Sequence, residues 1–273
     1  MIYRKTALLL YVTAGLLSLT GSCQAVQSAN ALEKKPAQPE AKVPVEPPPD
    51  GYALYQTSSI MGDHDVFVGP RGVKIMDRKV GMGIAATAPE WQVKCFNGTT
   101  RRIYTTTMTK YHGIEHEIRA LAGGTTLKNL PFKQSKSYTA DGIVINEYKT
   151  TKQFESKQEK DLGRESADPL FVKSALMETV PKSGVPRQAA VLISRFYGIP
   201  ESGDLPLKFS YINLKGDLHS ILVLNSARKI KTSPDNFAIP PGYTAVKELS
   251  QLEDKGGHKP FKRKVIETVK KIK

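Results

Sequence analysis

Cysteine is nearly absent: Cys23 and Cys95 are the only two in 273 residues. Cys23 falls in an apolar leader, so the folded part holds one thiol, no internal disulfide can form there, and stability has to come from core packing. The chain also lacks long apolar runs. Ala7 to Leu19 is too short to read as a membrane span. Acid is scarce relative to base, with 26 Asp and Glu against 40 Lys and Arg and a net charge of +14. That balance favours anionic partners such as phospholipid head groups or cell-wall polymers. Basic residues are not interleaved with aromatics as in single-strand binders, which argues against nucleic acid. The stretch Asp204 to Leu249 contains no nucleophile, metal cluster or phosphate loop. Val80 to Ala86 has a Gly-x-Gly-x-x-Ala outline, but strand and turn residues surround it, so it reads as a glycine-softened strand rather than a dinucleotide loop. No cofactor is implied.

The N-terminus is organised for export. Arg4 and Lys5 precede the apolar run, and Ala29-Asn30-Ala31 is a small-x-small cleavage pattern, so residues 1–31 read as a signal peptide or lipoprotein signal. Leu19-Thr20-Gly21-Ser22-Cys23 resembles a bacterial lipobox, with Thr20 where that pattern has an aliphatic residue. Lipidation of Cys23 and simple cleavage near Ala31 both stand. The expected location is periplasmic or secreted, with a membrane tether if Cys23 is lipidated. Residues 32–50, dense in proline and charge, read as a linker.

Residues 51–249 read as a β-rich domain. Gly51 to Ile60, His64 to Val68 and Val73 to Met76 are rich in strand formers, with Gly69-Pro70-Arg71-Gly72 as a tight turn. Trp91, Val93 and Cys95 share one face of a strand, Asn97-Gly98 signals a hairpin, and Thr99 to Thr109 is the return strand. Ser137 to Thr151 is a second hairpin about Asp141-Gly142. Leu205, Leu207, Phe209 and Tyr211 form one apolar strand face, Lys215 to Asp217 is a turn, and His219 to Lys229 runs back. Glu115 to Ala122 is a short helical patch. The best helix is Val185 to Tyr197, with Pro186 in its first turn, Ala189, Leu192, Ile193 and Phe196 on one stripe, and Gly198 as its stop. Residues 250–273 form a basic tail in which Phe261, Val265, Val269 and Ile272 share a helical face beside Lys262, Arg263, Lys264, Lys270 and Lys271, an arrangement suited to an anionic membrane surface.

Four segments together resemble the superfamily of periplasmic lipoprotein carriers and related secreted proteins. They are Gly69 to Met76, Pro89 to Phe96, the helix ending Phe196 to Pro200, and Leu205 to Leu207 running on to Phe237 through Tyr243. The resemblance spans roughly Gly51 to Leu249. It implies an α+β fold: a curved antiparallel sheet, or half-open barrel, with one or two helices on its concave face, where a lipid or an acyl chain can lodge. Under that implication the expected groove is lined by Trp91, Val93, Phe209 and Tyr211 and capped by Ile193 and Phe196 of the helix.

Other constellations point less far. His112-Gly113-Ile114-Glu115-His116 matches the H-x-x-E-H order of some zinc peptidases, but glycine weakens the helix that order needs, and a polar loop is the expected reading. His64, between Asp63 and Asp65, is expected at a surface turn, and Cys95 in the core. The sequence thus points to a non-enzymatic binding protein for an apolar ligand. The alternative is a structural or envelope-associated domain with a packed core and a docking tail.

Overall fold

The computed structural model describes residues 48–252 apart from 80, 114–126, 153, 156–171, 182–183 and 214. Cys23, the helical patch Glu115 to Ala122 and the tail Phe261 to Ile272 lie outside the described residues.

Among the described residues, twelve strands hydrogen-bond into one sheet that does not close into a barrel. Its first hairpins are local: β1 (Gly51–Ser58), β2 (Gly62–Gly69), β3 (Gly72–Asp77), β4 (Met82–Thr87), β5 (Val93–Asn97) and β6 (Arg102–Thr106) pair in sequence order. β7 (Phe132–Ala140), β8 (Ile143–Thr150), β9 (Val172–Val180), β10 (Leu205–Asn213) and β11 (Leu218–Ile230) form a second run, and β11 joins β1 to make the sheet continuous. All these pairings are antiparallel. β12 (Thr244–Val246) pairs with β6 in parallel.

Turn chemistry sets these registers. Pro70 and Arg71 are the two loop residues between Gly69 and Gly72. Asp141 and Gly142, at φ 50° and 70°, make the two-residue turn whose twist matches right-handed strands. Asn97-Gly98 behaves differently from a two-residue turn. Asn97 ends β5, its Oδ1 accepts from the Thr99 and Thr100 amides at 2.9 and 3.1 Å, and the loop runs through Thr100 and Arg101 before β6 begins at Arg102. The asparagine side chain takes the role a tight backbone turn would have had, and the return strand stops at Thr106.

The helix that packs on the sheet is α1 (Arg187–Phe196), with Pro186 at its N-cap and Gly198 at φ 61° just past its end. Ala189, Leu192, Ile193 and Phe196 are all buried, as the sequence stripe requires, and the helix packs on β3 and β10. Those strands flank β2, β1 and β11 in the sheet order, so α1 lies across the middle strands. The sheet bends beside it: Phe132 on β7 and Phe209 on β10, three strands apart, bring their rings to 6.4 Å. The apolar residues facing α1 join those of the helix in one core cluster.

The opposite face of β7 to β10 carries a charge ladder. In register across four strands stand Lys136, Glu147, Glu178 and Lys208. Two glutamates directly opposite each other repel, and the flanking lysines offset this: Lys136 Nζ lies 3.1 Å from Glu147 and Lys208 Nζ 3.0 Å from Glu178. Burial raises the Glu147 pKa, while the Ser135 hydroxyl, Lys136 and Lys149 lower it, and the net direction is down. Among the described residues, no helix is long and apolar enough to cross a membrane.

Candidate functional site: the interior between sheet and helix

The six side chains expected to line a groove, Trp91, Val93, Phe209, Tyr211, Ile193 and Phe196, all belong to the core cluster, none more than 9% exposed. β5 supplies Trp91, at its threshold, and Val93; β10 supplies Phe209 and Tyr211; α1 supplies the other two. Tyr211 stacks on His219, with centroids 4.9 Å apart. In this structure the six are packed and shut from solvent.

Polar side chains also enter this interior, among them a pair on β1 and β2. His64 is fully buried on β2, which corrects its expected place at a surface turn. The physical reason lies in strand parity. His64, Val66 and Val68 occupy alternate positions, so they share the face that packs under α1. The ring meets Phe196 and Tyr197 edge-on, with centroids 5.1 and 5.5 Å away. Directly opposite it on β1 stands Gln56, also fully buried.

Gln56 Nε2 donates to the Pro206 carbonyl at 3.0 Å and, more weakly, to Leu207 at 3.4 Å. These carbonyls lie beyond the last β10–β11 pair, Phe209 with Leu222, so the Gln56 amide satisfies backbone that the ladder leaves open. Gln56 Oε1 and both His64 nitrogens find no hydrogen-bond partner among the described residues. The Gly62 carbonyl is near enough to favour the protonated ring, but not in hydrogen-bond geometry. Burial lowers the His64 pKa, against the raising influence of Asp77, Asp63 and Asp65. His64 is therefore neutral near pH 7, with one nitrogen a donor and the other an acceptor.

The neighbouring acids are engaged elsewhere: Asp65 forks onto Arg78 at 2.6 and 2.9 Å, and Asp63 accepts from Thr57 Oγ1 at 2.7 Å. No group of three metal-ligating side chains is found among the described residues. His112 and Gly113 are not helical, and Gly113 has φ 89°; Glu115 and His116 lie outside the described residues. Cys95 is buried as expected, and burial pushes its thiol up to about 12, so it is not a nucleophile at neutral pH.

Sequence reasoning missed Gln56 altogether, although Tyr52, Leu54 and Gln56 alternate as plainly as the residues of β2. A polar residue at an inward position of a strand was the available signal.

A loop ties down the end of α1. Arg195 donates to the carbonyls of Met108 and Tyr111 and pairs with Glu201 at 2.8 Å. Gly113 passes so close that a Cβ there would lie 1.7 Å from the Arg195 carbonyl oxygen.

No family model matches the chain, and no curated protein does. In fold it is similar to an uncharacterized conserved protein from Thermus thermophilus, at 8% identity over 73% of this chain and 91% of that one, with a TM-score of 0.39. It is similar to MucB in the Pseudomonas aeruginosa MucA/MucB complex at 10% identity, covering 72% of this chain and 58% of that one, with a TM-score of 0.39. It therefore spans little more than half of that structure. A LolA superfamily protein from Nitrosomonas europaea is matched at 10% identity over 70% of this chain and 89% of that one, with a TM-score of 0.21. Each of these likenesses has a TM-score below 0.5. Fold does not carry function at such distances, and the ligand question falls to this chain's own side chains.

Proposed function

We propose that the protein is a non-enzymatic, extracytoplasmic binding protein for an apolar ligand with a hydrogen-bonding head, such as a lipid or lipoprotein acyl chain, held between the sheet and α1. The observation that carries this reading is the pair Gln56 and His64 in a mostly apolar interior, where Gln56 Oε1 and both His64 nitrogens, like the Ser194 hydroxyl of α1, lack a hydrogen-bond partner among the described residues. Each buried unpaired polar group costs about 1–3 kcal/mol, and a permanent core has no use for them. An ester or amide head group supplies an acceptor for the imidazole N–H. Its chain takes the apolar positions lined by Trp91, Val93, Phe209 and Tyr211. A helix touching β3 and β10 together is what a half-open barrel curved around it would give. Entry requires α1 to move, and Gly184 and Gly198, both at positive φ, flank it.

A packed domain without ligand is favoured by one observation, the burial of all six groove residues in a continuous cluster. The sole tryptophan separates the two readings, because Trp91 reports on the interior. Full-length protein stripped of lipid and refolded should show Trp91 quenching by an acyl ester brominated along its chain, and much less by the same head group without the chain. Absence of quenching, together with a bare polypeptide mass in native mass spectrometry of protein purified from its source, would leave the packed-core reading.

In the same reading, the leader exports the chain, by lipidation at Cys23 or cleavage near Ala31, and the tail from Phe261 to Ile272 seats it on an anionic surface. Each lysine near such a surface contributes about 1 kcal/mol. The full chain should therefore sediment with anionic vesicles and not with neutral ones, and added salt should release it. Equal recovery with both kinds of vesicle would remove the tail from this role.

A further inference from the structure

The face of the sheet turned away from α1 carries a second hollow, built independently of the interior. After β11 the chain crosses the outside of the sheet as a strap and is pinned at both ends. At the first end, the Thr232 amide and hydroxyl donate to Asp50 Oδ1 at 2.7 and 2.9 Å. Next, the buried Phe237 ring sits on Gly72, where a Cβ would come within 2.8 Å of it, and Lys74 Nζ donates to the Ala238 carbonyl at 2.6 Å. At the far end, Tyr243 meets the Phe96 ring at 5.8 Å, Arg101 lies 5.5 Å over Tyr243, and β12 pairs with β6.

Between these pins stand Pro240 and Pro241. Neither has an amide hydrogen, so this stretch cannot pair with the strands beneath it and bridges them instead. The bridge leaves a cavity of about 380 Å³ over β4, β5 and β6. Because the strap is held on both sides and stiffened by proline, the hollow is formed before anything enters it, which lowers the cost of binding.

Its lining has a definite chemistry. Ala85 contributes only a methyl group, and its cross-strand neighbour is Lys94. Ile103, Phe237 and Ile239 supply its apolar part, and Thr87, Gln92 and Tyr243 add uncharged polar groups. Among the described residues, Lys94 is the only charged one in the lining, no acid stands there, and Lys94 is exposed without an ion pair. At the roughly 30 Å³ that a small group occupies in a liquid, the volume takes about a dozen heavy atoms. A single cation beside apolar groups suits one negative charge on an apolar body better than a dianion, and a longer acyl chain would extend out of the hollow into solvent.

We propose that this hollow binds a medium-chain carboxylate, its tail against Ile103, Phe237 and Ile239 and its carboxylate on Lys94. The site does not depend on the interior ligand proposed above, and the two are separable by where the signals fall.

The test is a titration of the full chain with decanoate, decanol and decylammonium, below their self-association limits, followed by backbone amide NMR. Decanoate should shift the amides of Ala85, Lys94, Ile103 and Gly242 and leave those of Val66 and Phe209 in place. Lys94→Gln should weaken decanoate about tenfold, the worth of one charge-assisted hydrogen bond, and leave decanol unchanged. Lys94→Arg should restore most of the affinity. Lys94 is exposed, so these variants should fold. Equal binding of decanoate and decanol, an unaffected Lys94→Gln, shifts confined to the interior, or no shift at the highest usable decanoate concentration would each overturn the proposal.

Discussion

Gly113→Ala should destabilise the protein by about 3 kcal/mol or more, as much as the loss of a large core side chain. Two costs add. At φ 89° an L-residue is strained, by about 1–2 kcal/mol. The new methyl group would also overlap the backbone of Arg195, 1.7 Å from its oxygen and 2.6 Å from its carbon. Backbone cannot turn aside as a flexible side chain does, so the loop or the helix end must shift, and forced overpacking costs about 1–3 kcal/mol. The shift also pulls the Met108 and Tyr111 carbonyls away from the Arg195 guanidinium. Urea unfolding checks this: the midpoint should fall sharply with little change in slope. Gly142→Ala is the control, because its turn is open and a Cβ there meets nothing within 4 Å; only the positive-φ cost should remain. Equal losses at the two positions would mean that the contact with Arg195 adds nothing.

The legible parts of this fold are those set by local chemistry. The turns at Pro70-Arg71 and Asp141-Gly142, the stripe of α1 and the alternation of β10 all follow from residues within a few positions of one another. β9 was not legible. It reads Val172-Lys173-Ser174-Ala175-Leu176-Met177-Glu178-Thr179-Val180, and Ala, Leu, Met and Glu are good helix formers. It is a strand because β8 and β10 pair with it from both sides, which is tertiary context overriding propensity. β12 is three residues long and parallel, a pairing that no local signal announces. The packing at the candidate interior site was half visible. The apolar residues were found by their period, whereas its polar pair depends on Gln56 and His64 meeting across two strands, a register that no single segment contains.

His64→Leu should make the ligand-free protein more stable near neutral pH, by about 0.5–1.5 kcal/mol, which is unusual for a substitution at a fully buried position. Leucine fills similar space and removes two ring nitrogens that are buried without hydrogen bonds, each a desolvation cost of order 1 kcal/mol. The edge-on contacts with Phe196 and Tyr197 are lost in exchange, a smaller term of about 0.5–1.5 kcal/mol. A pH dependence accompanies the same residue. Burial holds the folded pKa of His64 below its ordinary 6.5, so over the range between the two values the unfolded chain binds more protons than the native one. Stability then falls as pH drops through 6.5 and levels off once pH is below the folded pKa. That slope should be present in the native chain and reduced in His64→Leu, as measured by urea midpoints at about pH 7 and about pH 5. If the imidazole serves the head group of a ligand, the same variant should lose selectivity for acyl esters over plain hydrocarbon chains in the Trp91 quenching experiment. A gain in stability with unchanged ester selectivity would place the head group elsewhere, and a loss of stability of about 1 kcal/mol or more would mean that the ring contacts with Phe196 and Tyr197 outweigh the unpaired nitrogens.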